Sequence, residues 1–282
     1  MPNFAVALID TKHNTKMDLE IIGYVGAIIM GLSLGLIGGG GSILTVPILV
    51  YLFSLDAVLA TAYSLFIVGL TSLIGSFSHM KMGNIHWKTA FVFGIPSIIS
   101  VFLTRAYLVP AIPDTLFTVG ELEITKSIGL LLLFAIIMLL ASYSMIKKQK
   151  LQTETSGEVK YNYPLIMVEG LVVGVVTGLV GAGGGFLIIP ALVILAKLPM
   201  KQAVGTSLII IAAKSLIGFT GDLKGDEIIN WNFLLLFSAI AVVGILAGSS
   251  FSKKVSNEKL KPIFGWFILV MGVYIIIKET LL

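Results

Sequence analysis

The sequence predicts an all-α integral membrane protein of two inverted repeats, each opening on a glycine-broken (re-entrant or hairpin) first helix followed by three transmembrane helices. Three observations predict it. Of 282 residues 57% are hydrophobic and 12% charged, with a mean hydropathy of +1.02, whereas a soluble domain carries roughly 25% charged residues. The apolar residues come in runs close to the ~20 residues that cross a hydrocarbon core. Those runs also repeat, with the same glycines and prolines, in the second half of the chain.

Taken in order, a segment 1–18 precedes the first run. It lacks a basic stretch followed by an apolar core, so no cleavable signal is expected. Long runs follow at Leu19–Ile37, Asp56–His79, Trp87–Val109 and Ile124–Ile146, which make a first repeat over 19–146. The polar stretch 147–163 reads as a linker. The second repeat, 164–282, holds runs at Pro164–Val180, Lys201–Gly221, Trp231–Ser252 and Pro262–Ile277. Two shorter runs, Ile43–Phe53 and Phe186–Ala196, follow glycine clusters; at about 1.5 Å per residue each reaches roughly half way across the core.

The repeat is ungapped over its most specific stretch. Placing GLIGGGGSILTVPIL from Gly35 over GLVGAGGGFLIIPAL from Gly178 sets an offset of 143 residues. At that offset Gly31 meets Gly174, Pro47 meets Pro190, Ser64 meets Ser207, Ser72 meets Ser215 and Gly75 meets Gly218. Apolar matches are cheap in a membrane protein, but Gly, Pro and Ser in one register are not.

Loop charge sets the orientation. Lys147, Lys148, Lys150 and Lys160 mark the linker as cytoplasmic, and Lys253, Lys254, Lys259 and Lys261 mark the last loop likewise. The 79–88 loop is basic while its mate at 222–231 is acidic, and the 110–123 loop is acidic while its mate at 253–261 is basic. The bias flips between halves, which requires an odd number of crossings per half and leaves both termini outside. The expected location is a bacterial inner (plasma) membrane, crossed several times. The net charge of +4 lies in loops rather than in one patch, so no nucleic-acid surface is implied. With no Cys, thiol catalysis and thiolate metal sites are excluded, and three scattered His argue against a metal centre. No cofactor signature appears, and oligomeric state has no signal in the sequence.

Irregular backbone inside a bilayer has to be buried by protein or face a watery cavity. Gly38, Gly39, Gly40 and Gly41, followed by Ser42, and Gly181, Ala182, Gly183, Gly184 and Gly185 are therefore expected to face inward. Each cluster would end one helix and start a short one whose N-terminus presents unpaired N–H groups and partial positive charge to the protein centre. Two such ends meeting across a pseudo-two-fold axis make a site for a small anion. Glycines serving only helix packing are the competing reading. Lys214 lies a little past the middle of its run, where an ionised group costs at least ~2.5–3.5 kcal/mol. It is expected to supply fixed positive charge, with Ser64, Thr71, Thr206, Ser207 and Ser42 supplying hydrogen bonds. Snorkelling, or pairing with Glu169, is the alternative for Lys214. Glu169, His79 and Asp222 are candidates for proton coupling, and Arg105, near a run end, reads as a snorkelling residue.

The doubled motif G-x-x-G-x-G-G-x-x-x-x-x-P, at Gly35, Gly38, Gly40, Gly41 and Pro47 and again at Gly178, Gly181, Gly183, Gly184 and Pro190, resembles the TauE/SafE family of sulfite and organosulfonate exporters. The likeness covers nearly the whole chain. It implies a transporter of sulfite, sulfoacetate or a related organosulfonate, working by alternating access with the bilayer and a small anion as its partners. A passive anion channel and an importer of the same anions stay open. An enzyme is not expected: the central regions hold no paired carboxylates, no Ser–His pair and no HExxH motif.

Overall fold

The computed structural model describes residues 2–119, 122–147, 163–194, 196–224, 228–251 and 257–281. Apart from Lys147 and Tyr163, the linker reading falls outside them, as do Lys253 and Lys254. The fold is all-α with one small hairpin. Its helices are α1 (Pro2–Ile37), α2 (Thr45–Tyr51), α3 (Ala57–Lys81), α4 (Trp87–Leu103), α5 (Val109–Ala111), α6 (Lys126–Ile146), α7 (Tyr163–Val180), α8 (Gly185–Ile194), α9 (Met200–Asp222), α10 (Trp231–Phe251) and α11 (Asn257–Leu281). Among the described residues seven stretches are long and apolar enough to cross a membrane: Asp18–Ile37, Ala57–Lys81, Trp87–Ala111, Lys126–Ile146, Tyr163–Val180, Met200–Asp222 and Trp231–Phe251. The chain is a multi-pass membrane protein.

Three details differ from the sequence reading. Helix α1 starts at Pro2, because no Gly or Pro interrupts residues 3–22, although only its part from Asp18 is apolar enough to span. Strands β1 (Thr115–Val119) and β2 (Leu122–Thr125) pair antiparallel where a plain loop was expected. Thr, Phe, Val and Ile dominate them, and such side chains suit a pleated strand. Helix α6 then begins at Lys126 rather than Ile124, capped by the Thr125 hydroxyl, which accepts from the N–H of Ile128 at 3.4 Å. Finally, α4 passes through one π-helical turn at Thr104–Leu108 before α5, and that turn carries Arg105.

Helix contacts explain most of the glycines. A Cβ on Gly31 would lie 2.1 Å from the Ala241 carbonyl oxygen and one on Gly35 2.6 Å from that of Ile245. In return, Gly244 and Gly248 accept the backbone of Ile28 and Leu32 within 2.4 and 2.3 Å. Helices α1 and α10 thus touch through glycines spaced by four, as small residues allow in membranes. Helix α7 packs on α4 the same way: Gly170 lies against Phe93, Gly174 against Ser97 and Gly178 against Thr104. Helices α6 and α11 pair, and α3 and α9 cross between the two glycine-packed pairs. About 67% of the α3 window and 72% of the α9 window are buried, against 39% for α1, α7 and α10, so the crossing is the centre of the bundle.

Two loop contacts bind this centre. The backbone N–H of His86, just before α4, donates to Thr206 Oγ1 on α9 at 2.9 Å. The N–H of Asn230, just before α10, donates to the Tyr63 hydroxyl on α3 at 2.6 Å. Thr206 and Tyr63 are mates at the offset of 143 residues.

Candidate functional site

The second glycine cluster forms a true break. Helix α7 stops at Val180, and Gly181, Gly183 and Gly184 have φ of 69°, 64° and 71°, a region L-residues with a Cβ rarely enter. Helix α8 then opens with Leu187 and Ile188 both donating to the Gly184 carbonyl at 2.9 Å. The N–H groups of Ala182, Gly183, Gly185 and Phe186 meet no acceptor among the described residues. They are the orphan donors of a helix start, here fully buried.

The first cluster behaves differently. Gly38 is the mate of Gly181 and shares its positive φ, 75°. Gly39, Gly40 and Gly41, however, already wind into a 3₁₀ turn, Gly39–Leu44, that runs on into α2. The Ser42 hydroxyl donates to the Gly39 carbonyl at 2.7 Å and Thr45 Oγ1 to that of Ser42 at 3.1 Å, so these side chains reinforce the turn. Helix α2 proper has 7 residues, where a short helix of about eleven was expected.

The two breaks meet. A Cβ on Gly39 would fall 2.1 Å from Gly185 Cα, and one on Gly185 2.0 Å from Gly39 Cα. A Cβ on Gly183 would lie 3.3 Å from Ser42 Cβ. The clusters are pressed backbone to backbone, which only glycine permits.

Lys214 stands beside this junction. Leu65 faces Gly218, Gly69 faces Leu216 and Gly75 faces Leu208, so α3 and α9 cross antiparallel with Lys214 close to the crossing point. Its side chain is 0% exposed. The ammonium donates to Thr177 Oγ1 on α7 at 2.7 Å and lies 2.8 Å from where a Cβ on Gly184 would be. No described carboxylate is within ion-pair distance, so neither snorkelling nor pairing with Glu169 describes it. Glu169 is half-buried, and its Oε2 has no hydrogen-bond partner. An ammonium has three N–H donors, and one is used. The remaining two lie beside a helix start that also lacks acceptors.

The other expected ligands are dispersed. Thr71, the mate of Lys214, turns its hydroxyl back to the Ile67 carbonyl at 2.5 Å, and Ser207 does the same to Val204 at 2.8 Å. Thr206 anchors the loop before α4. Seven and eight residues from Lys214, Ser207 and Thr206 sit about 10–12 Å away along α9. The Ser64 hydroxyl is buried without a partner. His79 is buried near the end of α3, with Nδ1 unpartnered.

Arg105 corrects the snorkelling expectation. It is 0% exposed and forms a salt bridge with Asp222. Its Nε donates to both carboxylate oxygens, at 2.7 and 2.9 Å, and its Nη1 to Thr61 Oγ1 at 3.0 Å and to the Gly178 carbonyl at 3.2 Å. Burial of a guanidinium needs such a full set of acceptors, and the π turn aims it inward. Sequence reasoning passed over Arg105 and Thr177. The available signals were that Arg105 is the chain's single arginine and that Thr177 is a hydroxyl whose mate is Leu34.

Residues 24–275 match the sequence model of the sulfite exporter TauE/SafE family. A probable membrane transporter protein of Xylella fastidiosa (strain Temecula1) is 26% identical over 88% of this chain and 91% of its own length. Probable membrane transporter protein MJ0441 of Methanocaldococcus jannaschii is 28% identical, covering 92% and 94%. Probable membrane transporter protein YjnA of Bacillus subtilis is 29% identical, covering 89% and 99%. No solved structure matches the chain.

Proposed function

Because this chain belongs to the sulfite exporter TauE/SafE family, a family of membrane transporters and not of enzymes, we propose that it carries a small sulfur oxyanion such as sulfite, sulfoacetate or a related organosulfonate, outward, by alternating access around Lys214. One observation carries the reading. A wholly buried ammonium with one hydrogen bond lies against the unpaired N–H groups that begin α8. Donors gathered in a low-dielectric interior without an acceptor are destabilised until an anion accepts from them. An oxyanion offers several acceptor atoms and a negative charge, and so meets both the side chain and the helix end.

The halves are proposed to be inverted repeats that rock against each other. Contacts obey the exchange of mates: α1 packs on α10 as its mate α7 packs on α4, and α3 crosses its own mate α9. The paired loop bonds, His86 to Thr206 and Asn230 to Tyr63, follow the same rule. The meeting of Gly39 and Gly185 gives the two halves a shared contact with no side chain to interlock it. A bacterial inner membrane with both termini outside fits the loop charges.

The test is flux in proteoliposomes with sulfite, sulfoacetate, taurine, sulfate and chloride, with and without a proton gradient. Saturable exchange of sulfur oxyanions that Lys214→Ala abolishes is the expected result. Undiminished flux in that variant removes Lys214 from the mechanism, and flux that neither saturates nor counter-exchanges removes the carrier.

A further inference from the structure

Arg105 and Asp222 lie outside the site just described, yet they adjoin it. Lys214 is bonded to Thr177 and Arg105 to Gly178, consecutive residues in the last turn of α7. Lys214 and Asp222 belong to one helix, eight residues or about 12 Å apart. A second buried cation therefore stands between the Lys214 junction and the end of the bundle where α9 finishes.

The partners of this guanidinium divide into two kinds. Asp222 supplies its only charged partner, accepting at both oxygens in the side-on pairing that Arg makes with planar oxyanions. Thr61, Gly178 and Val58 supply neutral oxygens at 3.0, 3.2 and 3.5 Å. Those neutral contacts hold the arginine in place whatever anion sits on its other edge. Asp222 is the looser member, with 12% of its side chain exposed against 0% for Arg105, and it is the last residue of α9. Nor does the architecture demand an ion pair at this position. At the offset of 143 residues the mate of Arg105 is Gly248 and that of Asp222 is His79, and the other half is built without such a pair.

We propose that Arg105 is a second oxyanion-binding position on the route from Lys214, and that Asp222 occupies it in this conformation as a tethered stand-in for the transported anion. This rests on the reading that the cargo is an oxyanion. A sulfite or sulfonate group presents two oxygens as a carboxylate does, so it takes over the same N–H groups while Asp222 swings toward the loop that follows α9. The exchange leaves the buried charge compensated at each step. When the cargo departs, Asp222 returns and closes the route.

The experiment is equilibrium binding of radiolabelled sulfite to the purified full-length protein, read as stoichiometry. Wild type is expected to bind one sulfite, lost in Lys214→Met. Asp222→Asn is expected to bind two, Lys214→Met/Asp222→Asn one, and the triple variant with Arg105→Gln none. An Asp222→Asn protein with the wild-type stoichiometry overturns the proposal, as does an added site that survives Arg105→Gln. If wild type binds no sulfite, the Lys214 reading fails by itself, and the Asp222→Asn comparison still decides this one. Arg105→Lys covers the case of misfolding in Asp222→Asn: it keeps the charge opposite Asp222 but not the paired N–H groups. It should retain sulfite affinity while maximal exchange falls at least tenfold, and unchanged exchange overturns the proposal.

Discussion

The two glycine clusters are nearly the same sequence and are not the same structure. After Gly38 the first winds straight into a 3₁₀ turn; after Gly181 the second holds two more glycines at positive φ before α8 begins. The neighbours account for the difference. In the first half Gly41 lies against the backbone N of Leu34, and the mate of Lys214 is Thr71, whose hydroxyl is spent on its own helix. In the second, Gly184 faces Thr177 and the Lys214 ammonium. A polar pair has replaced an apolar one, and the backbone opens around it. Duplication supplied the frame, and divergence of a few buried side chains concentrated the chemistry in one half.

The ends of the bundle differ in the same way. Around Asp222 and Tyr63 an aromatic cluster closes the helices, with Phe66, Phe219 and Trp231 at 5.2–6.0 Å between centroids and Phe233 packed against Tyr63 at 6.0 Å. The mates of Tyr63, Phe66 and Phe219 are Thr206, Ile209 and Ser76.

Substitutions at mates break or sharpen this comparison. The largest effect is expected where the halves touch. Gly185→Ala places a Cβ 2.0 Å from Gly39 Cα, and backbone on both sides cannot yield, so a loss above about 3 kcal/mol is expected, at or beyond the usual cost of overpacking. Gly40→Ala, whose nearest neighbour is the Ile37 side chain at 3.3 Å, should stay within about 0.5 kcal/mol. Thermal unfolding in detergent compares them, and equal losses would mean that the contact between clusters is not what the glycines serve.

Next comes the ion pair. Arg105→Met alone should cost about 3–5 kcal/mol by stranding Asp222, whereas Arg105→Met with Asp222→Leu should be near neutral, as replacement of buried pairs often is. The same unfolding measurement separates the variants, and a double variant as unstable as the single one would contradict the pairing energetics. Lys214→Met should weaken sulfite binding roughly 10- to 100-fold, the loss of a charge-assisted hydrogen bond of about 1.5–3 kcal/mol. Thr71→Val should change it less than about threefold, because that hydroxyl already has an acceptor. Equal effects on binding would restore symmetry to the site. The smallest effects belong to the loop bonds: Thr206→Val and Tyr63→Phe each remove one neutral hydrogen bond and should cost about 0.5–1.5 kcal/mol. Because the two bonds are mates, the costs should agree, and unfolding midpoints that differ widely would weaken the repeat.

The sequence by itself determined the class, the spans and the breaks. Apolar runs declare helices because a bilayer offers backbone groups no partner except one another, and a Gly-Gly-Gly-Gly or Gly-Ala-Gly-Gly-Gly string within such runs marks where a helix stops. It also singled out Lys214, since an ion in hydrocarbon is too costly to be incidental. What only the tertiary structure decided is which groups share a space. Periodicity records which face of a helix is buried, not what lies opposite, so it could not bring Thr177 to Lys214 or Asp222 to Arg105 across 37 and 117 residues of chain. Nor could it separate the glycines that admit a neighbouring backbone, such as Gly31 and Gly39, from those that need a positive φ, such as Gly183. Both uses ask for the absence of a Cβ, and only the packed neighbours reveal which one applies.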